Sequence, residues 1–88
     1  MKVLLHRQFK KSFKKRIAPN PKPVARFTNR LMLFIEDYAH PELRTHDLVG
    51  KKIHLKAFSI TGDIRVVYIQ EEEDVVLFLD IGTHSQVY

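Results

Sequence analysis

The spacing of apolar residues changes near residue 40, and this change restricts the fold more than any other feature of the sequence. Before that point, Phe9, Phe13 and Ile17 recur every four residues, which places them on one face of a helix. After it, residues 51–60 and 63–69 alternate between apolar and polar, which is the pattern of half-buried strands. The sequence therefore predicts an α+β domain with its helices first and most of its sheet afterwards.

Two helices are predicted in the first part of the chain. The first, within residues 7–17, has a cationic outer surface, and the second spans roughly residues 21–38, with Asn20 as its N-cap. The second helix presents one apolar face, formed by Val24, Phe27, Leu31, Phe34, Ile35 and Tyr38. Leu33 points away from this face, either as an isolated exposed leucine or as part of a partner surface.

The sheet is predicted from a short first strand, KVLL, and three later strands. Thr61 and Gly62 suggest a two-residue hairpin turn, which pairs Ile60 with Asp63 and Phe58 with Arg65. This register puts Ser59 on the side of the helices. The apolar face then consists of Ile53, Leu55, Ala57, Ile64, Val66 and Tyr68, and the opposite face presents His54, Lys56, Asp63 and Arg65.

The residues between helices and hairpin, PELRTHDLVG, are predicted to form a loop, and EEED a charged turn before the central strand VVLFLDI. The predicted order is β-α-α-β-β-β, with two helices packed on one face of a mostly antiparallel sheet. A chain of 88 residues has room for one modest core, so residues 1–88 are predicted to form a single domain. No apolar run is long enough for a bilayer, no signal peptide is apparent, and the absence of cysteine fits the cytoplasm.

Charge is distributed unevenly along the chain. Residues 1–30 contain ten Lys or Arg and no acid, whereas residues 31–88 contain five basic and ten acidic residues. Such a basic half suggests a polyanionic partner, and the alternative is an ordinary solvated helix face. If that partner is RNA, the lysines expected to contact it are Lys10, Lys11, Lys14, Lys15, Lys52 and Lys56.

The sequence contains neither a metal-binding motif nor a glycine-rich phosphate-binding loop. His40, His46 and His54 lie six and eight residues apart, a spacing that matches no metal motif, and the three glycines are scattered. We therefore expect neither a metal site nor a cofactor.

Polar residues scattered along the chain form a better candidate site. The set consists of His46, Lys56, Asp63, Arg65, His84 and Tyr88. A metal-free ribonuclease needs an acid and a base, for which histidine is suited, and a cation for the phosphorane, for which arginine is suited. An aromatic ring can stack on an unpaired base. Each residue also has a structural alternative: loop hydrogen bonds for the histidines, a turn for Asp63, an ion pair for Arg65, and core packing for Tyr88.

Three motifs resemble the RelE/ParE superfamily of bacterial toxins, specifically its YafQ-like branch. They are HDLVG, GDIRVVY and GTHSQVY, in this order. The branch has H-x-L-x-G, then D-x-x-x-x-Y, then G-T-H-x-x-x-(F/Y), and here Asp63 follows His46 by seventeen residues. The resemblance covers essentially the whole chain. It implies a microbial ribonuclease-like fold and an mRNA interferase of a type II toxin–antitoxin system.

The resemblance also implies how such a toxin works. It implies an endoribonuclease that cuts mRNA in the A site of the 70S ribosome, and that is inhibited by a cognate antitoxin protein. By position, His46, Asp63, His84 and Tyr88 match catalytic or substrate-positioning residues of the YafQ-like branch, and Arg65 matches the phosphate-stabilising arginine of the RelE-like branch. Ser59 is a departure, because it stands where the branch has a further histidine.

Two other functions stay open at this stage. One is a non-catalytic toxin of the ParE kind that poisons DNA gyrase, although that branch lacks these histidines. The other is an RNA- or ribosome-binding domain that has lost its activity, for which Ser59 is the best support.

Overall fold

A computed structural model describes residues 1–48, 50 and 54–88 of the chain. The helical elements are α1 (Arg7–Ser12), which continues as a π-helical segment (Phe13–Ile17), α2 (Pro21–Glu36), a 3₁₀ turn (Pro41–Leu43) and α3 (His84–Val87). The strands are β1 (Lys2–Leu5), β2 (His46–Asp47), β3 (Lys56–Ser59), β4 (Ile64–Glu72) and β5 (Val75–Thr83). Among these residues, no helix is both long and apolar enough to cross a membrane.

The strands form one mixed sheet in the order β1-β5-β4-β3-β2. Only β1 and β5 run parallel, and every other neighbouring pair is antiparallel. The predicted α+β class, the early helices and the central position of VVLFLDI are confirmed. β2 was not expected, because its two residues, His46 and Asp47, are polar and too few to show a period within the predicted loop.

The core is built from aromatic side chains between the helices and one face of the sheet. The ring of Phe34, from α2, lies 4.5 Å from that of Phe58 and also contacts Tyr68 and Phe78 edge-on. Phe9, from α1, extends this cluster, with its ring centroid 5.5 Å from that of Phe78. The predicted helix faces therefore meet the sheet through these five rings.

Helix α2 differs from its prediction at the C-terminal end. It ends at Glu36, because Asp37 adopts an extended backbone with φ −154°. Tyr38 therefore lies outside the helix and is exposed, as is Ile35, so these two predicted core residues are corrected. Leu33 is half-buried and packs against the core beside the fully buried Phe34, so neither predicted role for this leucine holds.

The hairpin register is shifted by one residue from the prediction. The hydroxyl of Thr61 accepts hydrogen bonds from the N–H groups of Asp63 and Ile64, at 3.1 and 2.9 Å, which draws Asp63 into the turn. Ile60 then pairs with Ile64 through an N–H···O bond of 2.8 Å, and the loop has three residues instead of two.

This shift reverses the two faces of β3. Phe58 pairs with Val66 and points into the core, whereas Ser59 pairs with Arg65 on the opposite face. The predicted placements of Ala57 on the helix side and of Ser59 on the helix side are therefore wrong. Lys56 pairs with Tyr68 and so does not share a face with Arg65. Lys52 and Ile53 lie outside the described residues.

Candidate active site

Four of the predicted site residues converge although they are far apart in the sequence. His46 belongs to β2 and pairs with Ala57, and Ser59, two residues further along β3, pairs with Arg65 on β4. Since residues two apart on a strand share a face, His46 and Arg65 lie on the same face of the sheet. Helix α3 leaves β5 beside this face and supplies His84, and Tyr88 follows as its C-cap. We name these four residues the catalytic cluster, for the role that we propose for them.

A capping box orients α3 and with it His84. The side chain of Thr83 accepts a hydrogen bond from the backbone N–H of Gln86. In return, the side chain of Gln86 accepts a hydrogen bond of 2.8 Å from the backbone N–H of Thr83. These two bonds satisfy backbone groups that the first turn of a helix otherwise leaves unpaired. The sequence carries the signal for this capping box in T-H-S-Q, with threonine at the N-cap and glutamine three residues later.

Arg16, from the π-helical segment, binds the C-terminal end of β5. Its Nη1 donates to the carbonyl of Ile81 at 2.9 Å and to Oδ1 of Asp80 at 3.3 Å. Gly82 makes this approach possible, because an added Cβ would lie 2.9 Å from that nitrogen and 2.6 Å from Oε1 of Gln86. Arg16 is therefore a positioning residue, a role that the helical periodicity of this segment does not indicate.

His84, the first residue of α3, and Tyr88, its C-cap, contact each other, and Tyr88 also contacts Arg65. The rings of His84 and Tyr88 lie 4.5 Å apart in an edge-to-face arrangement. The guanidinium carbon of Arg65 lies 5.8 Å from the centre of the Tyr88 ring, within the range of a cation–π interaction. Tyr88 thus contacts both the imidazole of His84 and the positively charged guanidinium of Arg65.

Hydrogen bonds determine which nitrogen of His46 carries the proton in the neutral ring. Nδ1 lies 2.9 Å from the carbonyl oxygen of Arg44, which is only an acceptor, so Nδ1 is the donor. Nε2 then has a free lone pair, and the phenol oxygen of Tyr88 lies 3.4 Å away. Arg44 adopts a left-handed conformation with φ 51° at the end of the 3₁₀ turn. This backbone conformation brings its carbonyl to the histidine.

The phenol of Tyr88 remains protonated at neutral pH. Partial burial raises its pKa above the ordinary value of 10.0, and the nearby Arg65 opposes this shift only in part. A protonated phenol donates its hydrogen bond, which matches the lone pair on Nε2 of His46. The contact therefore orients the histidine with its basic nitrogen toward the cluster.

Sequence comparison identifies the family of the chain. The model of the bacterial toxin of type II toxin–antitoxin systems, YafQ, matches residues 1–88. The chain belongs to the YafQ toxin family. No curated protein sequence matches it significantly.

Solved structures of other toxins share the fold of this YafQ-family chain. YafQ in the Escherichia coli DinJ–YafQ complex has a TM-score of 0.80 at 17% identity, with 98% of this chain and 96% of that one covered. A copper-bound mutant toxin from Helicobacter pylori has a TM-score of 0.75 at 24% identity, with coverage of 100% and 99%. A YoeB/ParE toxin from Agrobacterium tumefaciens has a TM-score of 0.78 at 13% identity, with coverage of 96% and 99%. The predicted RelE/ParE-like architecture of a YafQ toxin is thus confirmed.

Asp63 is connected to the catalytic cluster of this YafQ-family toxin through its backbone. Its carbonyl accepts a hydrogen bond of 3.3 Å from Nη1 of Arg65, while its side chain is exposed at the hairpin turn. Ser59 lies directly across the strand pair from Arg65 and is half-buried. A serine at this position leaves His46 and His84 as the two imidazoles of the cluster.

The predicted RNA-binding lysines are distributed over different surfaces. Lys10, Lys11, Lys14 and Lys15 are exposed along α1 and the π-helical segment. Three of them, Lys11, Lys14 and Lys15, line an open surface cavity together with Arg16, which also contacts the end of β5. Lys56 forms an ion pair with Asp47, and Lys52 lies outside the described residues. Within the described part of the chain, no three His, Asp or Glu side chains are grouped as metal ligands.

Proposed function

We propose that this YafQ-family toxin is a metal-independent endoribonuclease that cuts mRNA in the A site of the ribosome and so inhibits translation. The observation that carries the proposal is the contact between Tyr88 and His46, with His84 and Arg65 beside the same phenol ring. Two imidazoles, a guanidinium and a phenol meet the needs of phosphodiester cleavage by the 2′-hydroxyl.

His46 is the general base of the proposed reaction. Its Nε2 lone pair takes the proton of the 2′-hydroxyl after that hydroxyl has displaced the Tyr88 hydroxyl, because Nδ1 already donates to the carbonyl of Arg44. The 2′-oxygen then attacks phosphorus, and the bond from phosphorus to the 5′-oxygen breaks. His84, in its imidazolium form, gives a proton to the departing 5′-oxygen. The products are a 2′,3′-cyclic phosphate and a 5′-hydroxyl end.

Arg65 and Tyr88 stabilise and position the reacting groups. The guanidinium of Arg65, whose carbon lies 5.8 Å from the centre of the Tyr88 ring, would balance the extra charge of the phosphorane. Asp63 orients this guanidinium through its backbone carbonyl. We propose this positioning role for Asp63 instead of a direct role as an acid or base. Tyr88 orients His46 and offers its ring to an unpaired base. The lysines of α1 attract the RNA backbone over longer distances.

A cognate antitoxin is the proposed inhibitory partner. The E. coli relative was crystallised with DinJ, a toxin–antitoxin complex. The present chain exposes cationic residues on α1 and, on β1 and α2, the apolar side chains of Leu4, Leu5, Met32 and Ile35. An acidic, amphipathic antitoxin segment matches this combination. Co-purification with the product of the adjacent gene, and loss of toxicity on co-expression, test the partner.

End mapping in a cell-free translation system tests the proposed activity. We expect 5′-hydroxyl cuts in a translated message and none in the same RNA without ribosomes. Translation arrest without cuts would indicate a ribosome-binding protein instead of an enzyme. DNA cleavage that depends on gyrase would indicate a ParE-like toxin.

A further inference from the structure

A small polar cleft separates the middle of α2 from the tip of the hairpin. Its volume is about 120 Å³, and it is lined by Arg26, Arg30, Glu42, Arg44, Ser59, Ile60, Thr61 and Gly62. We call it the arginine cleft. None of its arginines was singled out in the sequence, since Arg26, Arg30 and Arg44 come from different turns and elements.

The charge of the arginine cleft is only partly balanced. Three of its described lining residues are arginines, and Glu42 is the one acidic residue among them. That carboxylate lies 3.6 Å from Nη1 of Arg30, the same nitrogen that donates to Asn29 at 2.7 Å. Three positive charges against one negative leave a formal charge of +2 in a space of this size. An anion with several acceptor oxygens would complement it.

The arginine cleft adjoins the catalytic cluster through two of its lining residues. Ser59 pairs directly with Arg65, so the cleft and the phosphorane-stabilising arginine share neighbouring strands. Arg44 lines the cleft and presents its carbonyl to Nδ1 of His46. Its left-handed backbone, with φ 51°, is uncommon for a residue other than glycine. One strained residue therefore connects the cleft to the proposed base.

We infer that the arginine cleft is a phosphate-binding subsite for the RNA backbone, occupied by a phosphodiester group that flanks the scissile one. The inference rests on the proposed function for its substrate. The volume is suited to one phosphate group, and arginine matches two phosphate oxygens with two parallel N–H groups. At the hairpin tip, an added Cβ on Gly62 meets no atom within 4 Å, so the tip leaves room for the strand.

The double variant Arg26→Gln, Arg44→Gly removes two of the three guanidinium groups with little effect on the backbone. Arg26 is exposed, and glycine at position 44 retains the left-handed conformation and the carbonyl that holds His46. Arg30 is left unchanged, because its side chain is 17% exposed and paired with Glu42. The charge-matched control is Arg7→Gln, Lys22→Gln, at two exposed positions that do not line the cleft.

The test measures binding of a single-stranded RNA whose 2′-oxygens are methylated, so that it cannot be cut. Between about 50 and 200 mM salt, we expect the double variant to bind about tenfold more weakly than wild type. The slope of log K against log salt should become shallower by about 0.7, as for one lost phosphate contact on a single strand. Inorganic phosphate should compete with this RNA for wild type, and much less for the double variant.

Equal losses of affinity and slope in the double variant and in the control would overturn the subsite, because the effect would then be general charge attraction. Unchanged RNA binding, with weaker capture of an acidic antitoxin peptide, would overturn it in favour of a protein-binding cleft. Competition by inorganic phosphate without any RNA defect would show a site for the free anion and would also overturn it. The readout does not need cleavage, so the subsite and the proposed activity can fail independently.

Discussion

The phenol oxygen of Tyr88 lies 3.4 Å from Nε2 of His46, although the two residues are 42 positions apart. The opposite nitrogen of the same ring is held by the carbonyl of Arg44. The histidine is thus fixed at both nitrogens, with its proton on Nδ1. The ring is therefore oriented in advance, and its Nε2 lone pair accepts the 2′-hydroxyl proton once the substrate hydroxyl replaces the Tyr88 hydroxyl as hydrogen-bond donor.

Tyr88→Phe separates the hydrogen bond of this residue from its packing. Phenylalanine keeps the ring beside His84 and Arg65 but loses the donor to His46. We expect kcat for RNA cleavage to fall about tenfold with an unchanged melting temperature, because only the orientation of the base is lost. Single-turnover cleavage assays measure this effect, and a Phe variant as fast as wild type would exclude a role for the hydroxyl.

Gly82→Ala should damage the site while the fold persists. The new Cβ would displace Oε1 of Gln86 and Nη1 of Arg16, which breaks the capping box and the contact to Ile81. We expect a loss of about 1 kcal/mol in unfolding free energy, as for a lost N-cap, and a much larger relative loss of cleavage. Urea denaturation and cleavage rates measure the two effects. Gly62→Ala is the control for the urea denaturation, because its Cβ meets nothing within 4 Å.

Tyr68 predicts a specific alkaline destabilisation. Burial, together with Asp47 and Tyr38, raises its pKa from 10.0 to about 12. Below pH 10 both folded and unfolded states carry the proton; between pH 10 and 12 the unfolded state loses it first, so stability falls as pH rises. We expect wild type to lose about 2 to 3 kcal/mol more than Tyr68→Phe over this interval. Urea denaturation at pH 8 and pH 12 compares them, and identical losses would contradict the prediction.

Phe34→Ala tests the aromatic core. Phe34 is fully buried and contacts Phe58, Tyr68 and Phe78. Its truncation should lower the free energy of unfolding by about 3 to 5 kcal/mol, a large part of the total for a small domain. Met32→Ala, on the same helix but 63% exposed, should change it by about 0.5 kcal/mol or less. Chemical denaturation of both variants measures the contrast.

The fold class could be predicted from the sequence, because hydrophobic periodicity depends only on which faces of helices and strands are buried. The first helix face and the central strand met this condition, and both are found as predicted. The hairpin register could not be predicted from the sequence. The hydroxyl of Thr61 adds Asp63 to the turn, and this shifts every residue of β3 to the other face of the sheet. A single side-chain hydrogen bond outside the periodic pattern decided the register.

The candidate site was predictable to a similar extent. The proximity of His84, Tyr88 and Arg65 follows from an apolar strand, β5, that anchors the residues after it. The tautomer of His46 depends on the left-handed backbone of Arg44, which no sequence pattern indicates. The positioning role of Arg16 likewise depends on a contact between the π-helical segment and the end of β5, 65 residues further along the chain.

The most direct test of the proposed mechanism is RNA cleavage by His84→Ala in a translating extract, compared with His54→Ala. His84 belongs to the catalytic cluster, whereas His54 is an exposed histidine in a turn before β3. We predict that His84→Ala keeps its fold and its affinity for ribosomes but loses cleavage by at least about 100-fold, while His54→Ala cuts at the wild-type rate. A folded His84→Ala protein that cuts mRNA as fast as wild type would contradict the mechanism.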